Sequence, residues 1–574
     1  MCYYNILIFD NIIERINNLY NKYSYYNAYL KNNNKKPYEI IKLNDINLIK
    51  KYYLNNFNDE RKYLSYQQIR YVELLNKFNN NMYEKKILNN DKLNYINNRI
   101  DIYTKIVINK IKFFNKTYES YINILLTDNN NINRLLIMKK QKMLYKNNLK
   151  NIHKLLKYKK IKAKIYNFDN YADYILQNNM AKNSNTVILF LNSIKVKLKP
   201  LLIKELDIIR NEALKDGINE IKESDIMYYT NKINSSSNNI NFDLKKIINK
   251  IFLIFKKLFN YEFIHFNIES YKEINNKYNK KYNKEYNEDS NKDFFSHDMK
   301  HPDIKKNYYV LYNKKVIGIL FFDLYKNENK YTTAEIIPLT YKTNKIIPIF
   351  IMKCNFNNNN IINYDELIIL FHEFGHFIQN ISKNNKYNFD NITDMTDANE
   401  IPSQIFEEFC YNDNVLSMMT DNKNYKHDKK YQFKYIELGM QLVYSYIDIY
   451  LHKNYNCNTN FDKIYSEIYF SIFNLKNEIN PIYNFIHMYE EYDAKYYSYL
   501  WAAVYSKDIY YSKLSQYISK MDWLSSDVSL KNHEENNIGY EFKNKILNSF
   551  DYDDQLLLIN NYLEREVNID FLFM

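Results

Sequence analysis

Glycine and proline are scarce in this chain, five and seven among 574 residues. A sandwich or barrel of many short strands needs tight turns at close intervals, and those turns draw on these two residues. Their shortage points to long helices. Cysteine is rarer still. Cys2, Cys354, Cys410 and Cys457 are scattered and form no CxxC pair. That argues against a disulfide framework or a cysteine zinc site and suits a reducing compartment. No run of 18 apolar residues occurs, so no transmembrane helix is expected. The opening "MCYYNILIFDNIIERINNLY" contains acids and lacks a basic stretch leading into an apolar core. It does not read as a secretory signal or a transit peptide.

What is abundant is Tyr, with 61 copies, together with Asn, Lys and Ile. An AT-rich coding sequence would produce this mixture, so a tyrosine needs more than its presence to count as functional. The formal charge is +14, from 80 basic and 66 acidic residues. No single basic stripe stands out, so the excess reads as solvated helix faces and no nucleic-acid partner is expected. The length allows a large core and more than one domain.

Residues 1–270 read as a mostly helical region. "YEKKILNNDKLNYINNRIDIYTKIVINKIKFFNKTYESYINILL" (83–126) repeats Ile, Leu and Phe at three- and four-residue spacing, the helix period. Residues 271–295, "YKEINNKYNKKYNKEYNEDSNKDFF", hold almost no aliphatic side chain and read as a polar insertion. The third region is 296–574. It opens with a change of period: "YYVLYNKKVIGILFFDLY" (308–325) is two strand-like runs around the turn "NKK". "TAEIIPLTYK" and "IIPIFIMKCNF" continue the β character to residue 356. After that the chain is helical again. The fold class is therefore mainly α, with a small β-sheet before the next motif.

That motif is "FHEFGHFIQN" (371–380). Asn363 is placed to cap a helix whose first turn holds Asp365 and Glu366. On that helix His372 and His376 lie one turn apart on one face. Their imidazoles can converge on one Zn²⁺, with Glu373 beside the first ligand as general base toward a water that the metal activates. Two surface histidines on a helix would be the bland account. The apolar flanks "LIIL" and "FI" bury this helix, where two histidines and a glutamate without a partner would be costly. A third ligand is needed. "TDMTDANEIPSQIFEEF" (393–409) offers Glu400, Glu407, Glu408, Asp394 and Asp397. Pro402 suits the first turn of a new helix, with Glu400 at its start and Glu407 two turns on along the same face.

The two segments together resemble the thimet oligopeptidase family of zinc metallo-oligopeptidases, which includes neurolysin and oligopeptidase A. The family's zinc helix is similar to "FHEFGH" and its third ligand is the glutamate of a motif resembling "DANEIPSQIFEEF", which implies Glu400, with 23 residues between it and His376. "SDIMYYTNKI" (224–233), "VIGILFFDLYKNENKYTTAE" (316–335) and the closing segment from Gly539 resemble further family elements. The second specific match is "HMYEEYDAKYYSYLW" (487–501). In the family it supplies a histidine and tyrosines facing the scissile bond, which fall on His487, Tyr492, Tyr496 and Tyr499.

The resemblance implies two helical lobes around a deep substrate channel, one Zn²⁺ per chain on His372, His376 and Glu400, and an endopeptidase acting on short unstructured peptides. Glu373 is then the base, Tyr496 or Tyr499 the oxyanion donor, and His487 a holder of the substrate backbone, with Tyr492 also lining the substrate. Asp397 and Glu407 are candidates to orient the metal histidines. Tyr497 and Trp501 are expected in packing. Two departures stand out: Glu490 and Glu491 replace glycines of the family's loop, and the N-terminal channel wall reads as shortened. These support a second reading, a catalytically weak peptide-binding relative. A third is an organellar processing peptidase of the same family. The expected setting is a cytoplasmic monomer, or a mitochondrial one if the chain begins further upstream.

Overall fold

The computed structural model describes residues 90–146, 148–234, 240–266, 306–326, 334–340, 347–383, 396–422, 433–478, 480–489, 492–523, 538–548 and 555–574. The expected insertion at 271–295, with Asp394, Glu490 and Glu491, lies outside these residues. The first part is helical: α1 (Asn90–Thr127), α2 (Asn131–Lys146), α3 (Leu149–Ile165), α4 (Tyr171–Leu176), α5 (Ser184–Lys215) and α6 (Glu223–Asn234).

Asparagine does the punctuation that glycine does elsewhere. Asn170 and Asn183 cap α4 and α5 by accepting from the amides of Asp173 and Thr186. Asn167, Asn260, Asn313, Asn360 and Asn474 all adopt positive φ, against one glycine, Gly217. Asn tolerates the left-handed region because its short amide bonds locally to the backbone. A chain with five glycines can thus still end its helices and turn its hairpins.

A two-residue strand β1 (Phe242–Asp243) precedes α7 (Leu244–Phe259). The main sheet follows, built from β2 (Tyr261–Phe266), β3 (Lys306–Tyr312), β4 (Lys315–Tyr325), β5 (Glu335–Thr340) and β6 (Ile349–Phe356), in the order β2-β3-β4-β6-β5. Only the β4–β6 pair is parallel. Asn313 and Lys314, both at positive φ, turn the β3–β4 hairpin as two-residue loops favour. The strand β2 stands inside the region that reads as mostly helical. Its six residues follow α7 at once, and Phe263 stacks on Phe252 of α7 at 3.9 Å between ring centres. Pairing with β3, remote in sequence, makes it a strand.

After β7 (Ile361–Ile362), which pairs with β1, the chain forms α8 (Tyr364–Ser382), α9 (Thr396–Glu407), α10 (Asp413–Thr420), α11 (Lys434–Asn454), α12 (Phe461–Phe473), α13 (Ser498–Ile509), α14 (Ser515–Lys520), α15 (Ile538–Phe542) and α16 (Gln555–Leu563). The fold is mainly helical with small sheets. One hydrophobic core runs from Tyr103 to Leu572. Among the described residues no helix is long and apolar enough to cross a membrane.

Helix α8 begins with a capping box. Asn363 Oδ1 accepts from the Glu366 amide and Glu366 Oε2 from the Asn363 amide, both at 2.9 Å. Leu367, Leu370, Phe371, Phe374, Phe377 and Ile378 are fully buried, each contributing about 1.5–3 kcal/mol of burial. Phe374 packs edge-on to Phe252 and Phe322, and Phe377 to Phe350, so one side of α8 rests on α7 and the sheet. Another side meets α9 at Gly375. A Cβ there would stand 2.5 Å from Ser403 Cα and 3.0 Å from Pro402 O. Pro402 itself lies inside α9, which is already helical at Thr396. This corrects its assignment to a first turn: tertiary contact carries the helix past a residue that cannot donate its amide.

Gly375→Ala therefore opposes two terms. Alanine gains about 1 kcal/mol of helix propensity, but the new methyl meets backbone that cannot rotate away, and overpacking costs about 1–3 kcal/mol or more. We expect net loss of stability in urea denaturation, with weaker metal retention because α9 is pushed from α8. A stabilised Gly375→Ala protein would show that the two helices can separate freely.

Candidate metal centre

The histidines of α8 turn toward α9. His372 Nε2 and His376 Nε2 are 3.1 Å apart, and Glu400 Oε2 lies 3.4 Å from the first and 3.3 Å from the second. Among the described residues this is the group of three side chains able to hold a metal ion. Its spacing bears on which ion. Four tetrahedral ligands at zinc-like bond lengths of about 2.0–2.1 Å stand roughly 3.3–3.4 Å from one another. The three donor atoms already have that separation, and two imidazoles with one carboxylate suit zinc. The residues present fit the ion.

Two of the three side chains are held from behind. Glu407 Oε1 lies 2.6 Å from His372 Nδ1 and so turns Nε2 of that ring to the site. Ser403 Oγ donates to Glu400 Oε2 at 3.0 Å, and Tyr492 OH to Glu400 Oε1 at 2.9 Å. Glu400, Ser403 and Glu407 lie at positions i, i+3 and i+7 of α9, one face of one helix. Burial by itself would lower the basicity of His372, but Glu400 and Glu407 hold its imidazole well above the ordinary range. Burial would raise Glu400, yet His376 and His372 keep it well below. The Glu373 carboxyl is raised, first by burial and also by Glu400 and Glu335 against the pull of the histidines. Its Oε2 is buried without a hydrogen-bond partner.

The other acids of that segment go elsewhere. Glu408 pairs with Lys507 at 2.7 Å and accepts from Tyr511 OH. Asp397 was expected to orient a histidine, and the structure does not bring it to either one. It accepts from the amides of Met180 and Ala181 and from Tyr497 OH, at 2.9, 3.0 and 2.8 Å. Fully buried, it ties the approach to α5, and the tyrosine segment, to α9. Tyr497 is thus in packing, but with its hydroxyl engaged.

His487, Tyr492, Tyr496 and Tyr499 form one aromatic cluster. The His487 ring centre lies 5.7, 6.0 and 6.4 Å from those of Tyr492, Tyr496 and Tyr499, and Tyr492 stacks on Tyr499 at 4.9 Å. The Tyr492 bond to Glu400 joins the cluster to the centre. A helix over "DAKYYSYLW" would set these rings on one face, but α13 starts only at Ser498. Before it the chain turns through Ala494 at φ 60°, an uncommon conformation for a residue with a Cβ. Asp448, fully buried in α11, holds that turn. Its Oδ1 accepts from the Ala494 amide and its Oδ2 from the Tyr496 amide, each at 3.0 Å. His452 Nδ1 lies 3.0 Å from Oδ1 on the other side. Sequence reasoning missed Asp448 and Ser403. The available signal was an acid and a histidine four residues apart in the apolar run "SYIDIYLH".

Asp448→Asn keeps one accepting oxygen and replaces the other with a donor that faces an N–H. A buried amide left unsatisfied costs about 1–3 kcal/mol. We expect that loss in urea denaturation, together with a larger fall in turnover than in metal content. Unchanged stability would show that the turn holds without this carboxylate.

The family model described as Peptidase family M3 matches residues 126–572. The thimet-like oligopeptidase of Dictyostelium discoideum is 30% identical over 34% of this chain and 33% of its own length. Saccharolysin of Saccharomyces cerevisiae is 26% identical over 59% and 51%, and oligopeptidase A of Salmonella typhimurium 25% over 58% and 50%. The chain spans about half the length, or less, of these curated relatives. A solved carboxypeptidase structure from Pyrococcus furiosus covers 99% of this chain and 97% of its own, at a TM-score of 0.50 and 10% identity, a likeness of fold alone. The match from the end of α1 to the last residues places the chain plainly: it belongs to peptidase family M3.

Proposed function

We propose that the chain is a zinc-dependent oligopeptidase that hydrolyses internal bonds of short, unstructured peptides. The observation that carries this reading is the His372–His376–Glu400 group at tetrahedral spacing beside a buried carboxylate, Glu373, with an unpartnered oxygen. Zinc held there supplies Lewis-acid polarisation and a lowered pKa for water.

The chain's own residues do the rest. Glu373, its carboxyl raised by burial, takes a proton from the attacking water at Oε2 and passes it to the leaving amine nitrogen. The Tyr492 hydroxyl is committed to Glu400, so it steadies a ligand. Tyr496, pushed up by burial and by Tyr444 and so kept protonated, and Tyr499 are the hydroxyls for the oxyanion of the tetrahedral intermediate. His487, exposed at the edge of the cluster, is placed to hold the peptide backbone. Names of the relatives, oligopeptidases among them, support the substrate class.

A quenched short peptide, with and without a chelator, tests the reading. Glu373→Gln should keep its metal and lose about 10²–10⁴ in turnover, and Tyr496→Phe or Tyr499→Phe about 10²–10³ with little change in KM. Peptide binding with no cleavage by wild-type protein at full metal occupancy would favour the binding relative instead. Wild-type turnover in Glu373→Gln would remove the base assignment.

A further inference from the structure

Behind the tyrosine cluster lies a cavity of about 770 Å³, walled by α6, α11, α12 and residues 481–485. It shares a wall with the cluster. Tyr444 and Phe485 line the cavity and stack on each other at 4.6 Å. Tyr496 stands edge-on to both, at 5.9 and 4.8 Å, and Phe485 also touches His487, at 5.2 Å between ring centres. A peptide lying along His487 and Tyr496 therefore has this cavity within reach of a side chain.

The charge of the lining is one-sided. The chain holds 80 Lys and Arg, yet among the described residues none lines the cavity, while Glu223 and Glu437 do. Glu223 is fixed, accepting from Tyr465 OH at 2.9 Å and from the Glu478 amide at 2.6 Å. Glu437 is exposed and has no cation partner among the described residues. Two further polar atoms in the lining, Tyr469 OH and Asn484 Oδ1, are buried without a hydrogen-bond partner.

These features together select an occupant. An acidic side chain would meet two carboxylates and no cation. An aliphatic one would leave the buried Tyr469 OH and Asn484 Oδ1 unanswered, and buried polar groups without partners are costly. A guanidinium answers them. Its planar fork donates to a carboxylate and an amide oxygen, its face stacks on aromatic rings, and its methylene stem is covered by Tyr444 and Phe485. We propose that this cavity is a specificity pocket for an arginine side chain of the peptide substrate, entered past Tyr444 and Phe485. The inference rests on the peptidase reading for the source of that side chain.

The test uses zinc-loaded Glu373→Gln protein, so that binding is read without cleavage. A fluorescent alanine-rich peptide carries one arginine, walked through each position, and a parallel series carries citrulline, its neutral isostere. At one position arginine should bind about tenfold more tightly than citrulline, the combined gain of a cation–carboxylate pair and a ring contact. In the Glu373→Gln, Glu437→Gln double variant that ratio should fall to about twofold or less. Equal affinities at every position, or a ratio unmoved by Glu437→Gln, overturn the proposal. Hydrolysis of the arginine-free parent peptide by wild-type protein, with and without chelator, judges the peptidase reading separately. A cleaved parent with a flat scan removes the pocket alone. An uncut parent with arginine preferred removes the peptidase reading alone.

Discussion

Everything at the metal centre depends on how closely two helices approach. A glutamate side chain is short, and the two histidines are fixed on α8, so Glu400 reaches them only if α9 lies almost against the α8 backbone. Gly375 permits this by presenting hydrogen where any other residue would present a carbon 2.5 Å from Ser403 Cα. Ser403 then serves twice. Its backbone fills the space beside Gly375, and its hydroxyl fixes the oxygen of Glu400 that faces both histidines. Seven residues beyond Glu400 the same face of α9 delivers Glu407 to the far nitrogen of His372. One glycine contact thus positions Glu400, its partner Ser403 and the partner of His372.

The charges assembled there are not self-sufficient. Glu373, Glu400 and Glu407 surround two imidazoles in a largely buried space, and Glu335 on the edge strand β5 adds to the negative field at Glu373. A buried carboxylate with an unpartnered oxygen is costly in a fold that selects only for stability. Such groups persist where chemistry requires them. The contrast with Asp397 is instructive. Equally buried, it is satisfied by two amides and a hydroxyl, as a structural acid is. Satisfaction, more than burial, separates Asp397 from Glu373.

Much of this was legible from periodicity and spacing. The α8 capping box, the shared face of His372 and His376, and the β3–β4 hairpin depend on residues within a few positions of one another. What was not legible shares a cause, since each feature depends on contacts remote in sequence. The strand β2 exists because β3, forty residues further on, pairs with it. Pro402 sits inside α9 because α8 and α13 hold that helix together. The carboxylates at 394–409 could not be sorted by spacing, since Lys507, the Met180 and Ala181 amides and Tyr497 decide which acid goes where. The turn before α13 looked helical because its dependence on Asp448 is invisible locally. Asparagine's role was hidden differently. In a chain so rich in Asn, its use at left-handed positions in place of glycine cannot be told from compositional bias without φ angles.

Compositional bias also makes tyrosine a poor guide by count, and the segment 492–499 shows what replaces counting. Tyr492 and Tyr497 are five residues apart and their hydroxyls serve opposite ends: one bonds Glu400, the other Asp397. The positive φ at Ala494, between them, lets one strand of chain face the centre and the core in turn. What holds that conformation is Asp448, and Asp448 is not isolated. Glu437, Tyr444 and Asp448 lie at i, i+7 and i+11 on α11, a single face of a helix with 3.6 residues per turn. The helix that pins the tyrosines therefore also supplies the acid and the ring of the cavity behind them. Any movement of α11 would carry turn and cavity together, so on the proposed reading the register between the reacting end of a peptide and its side-chain pocket is set by one rigid element instead of by loops.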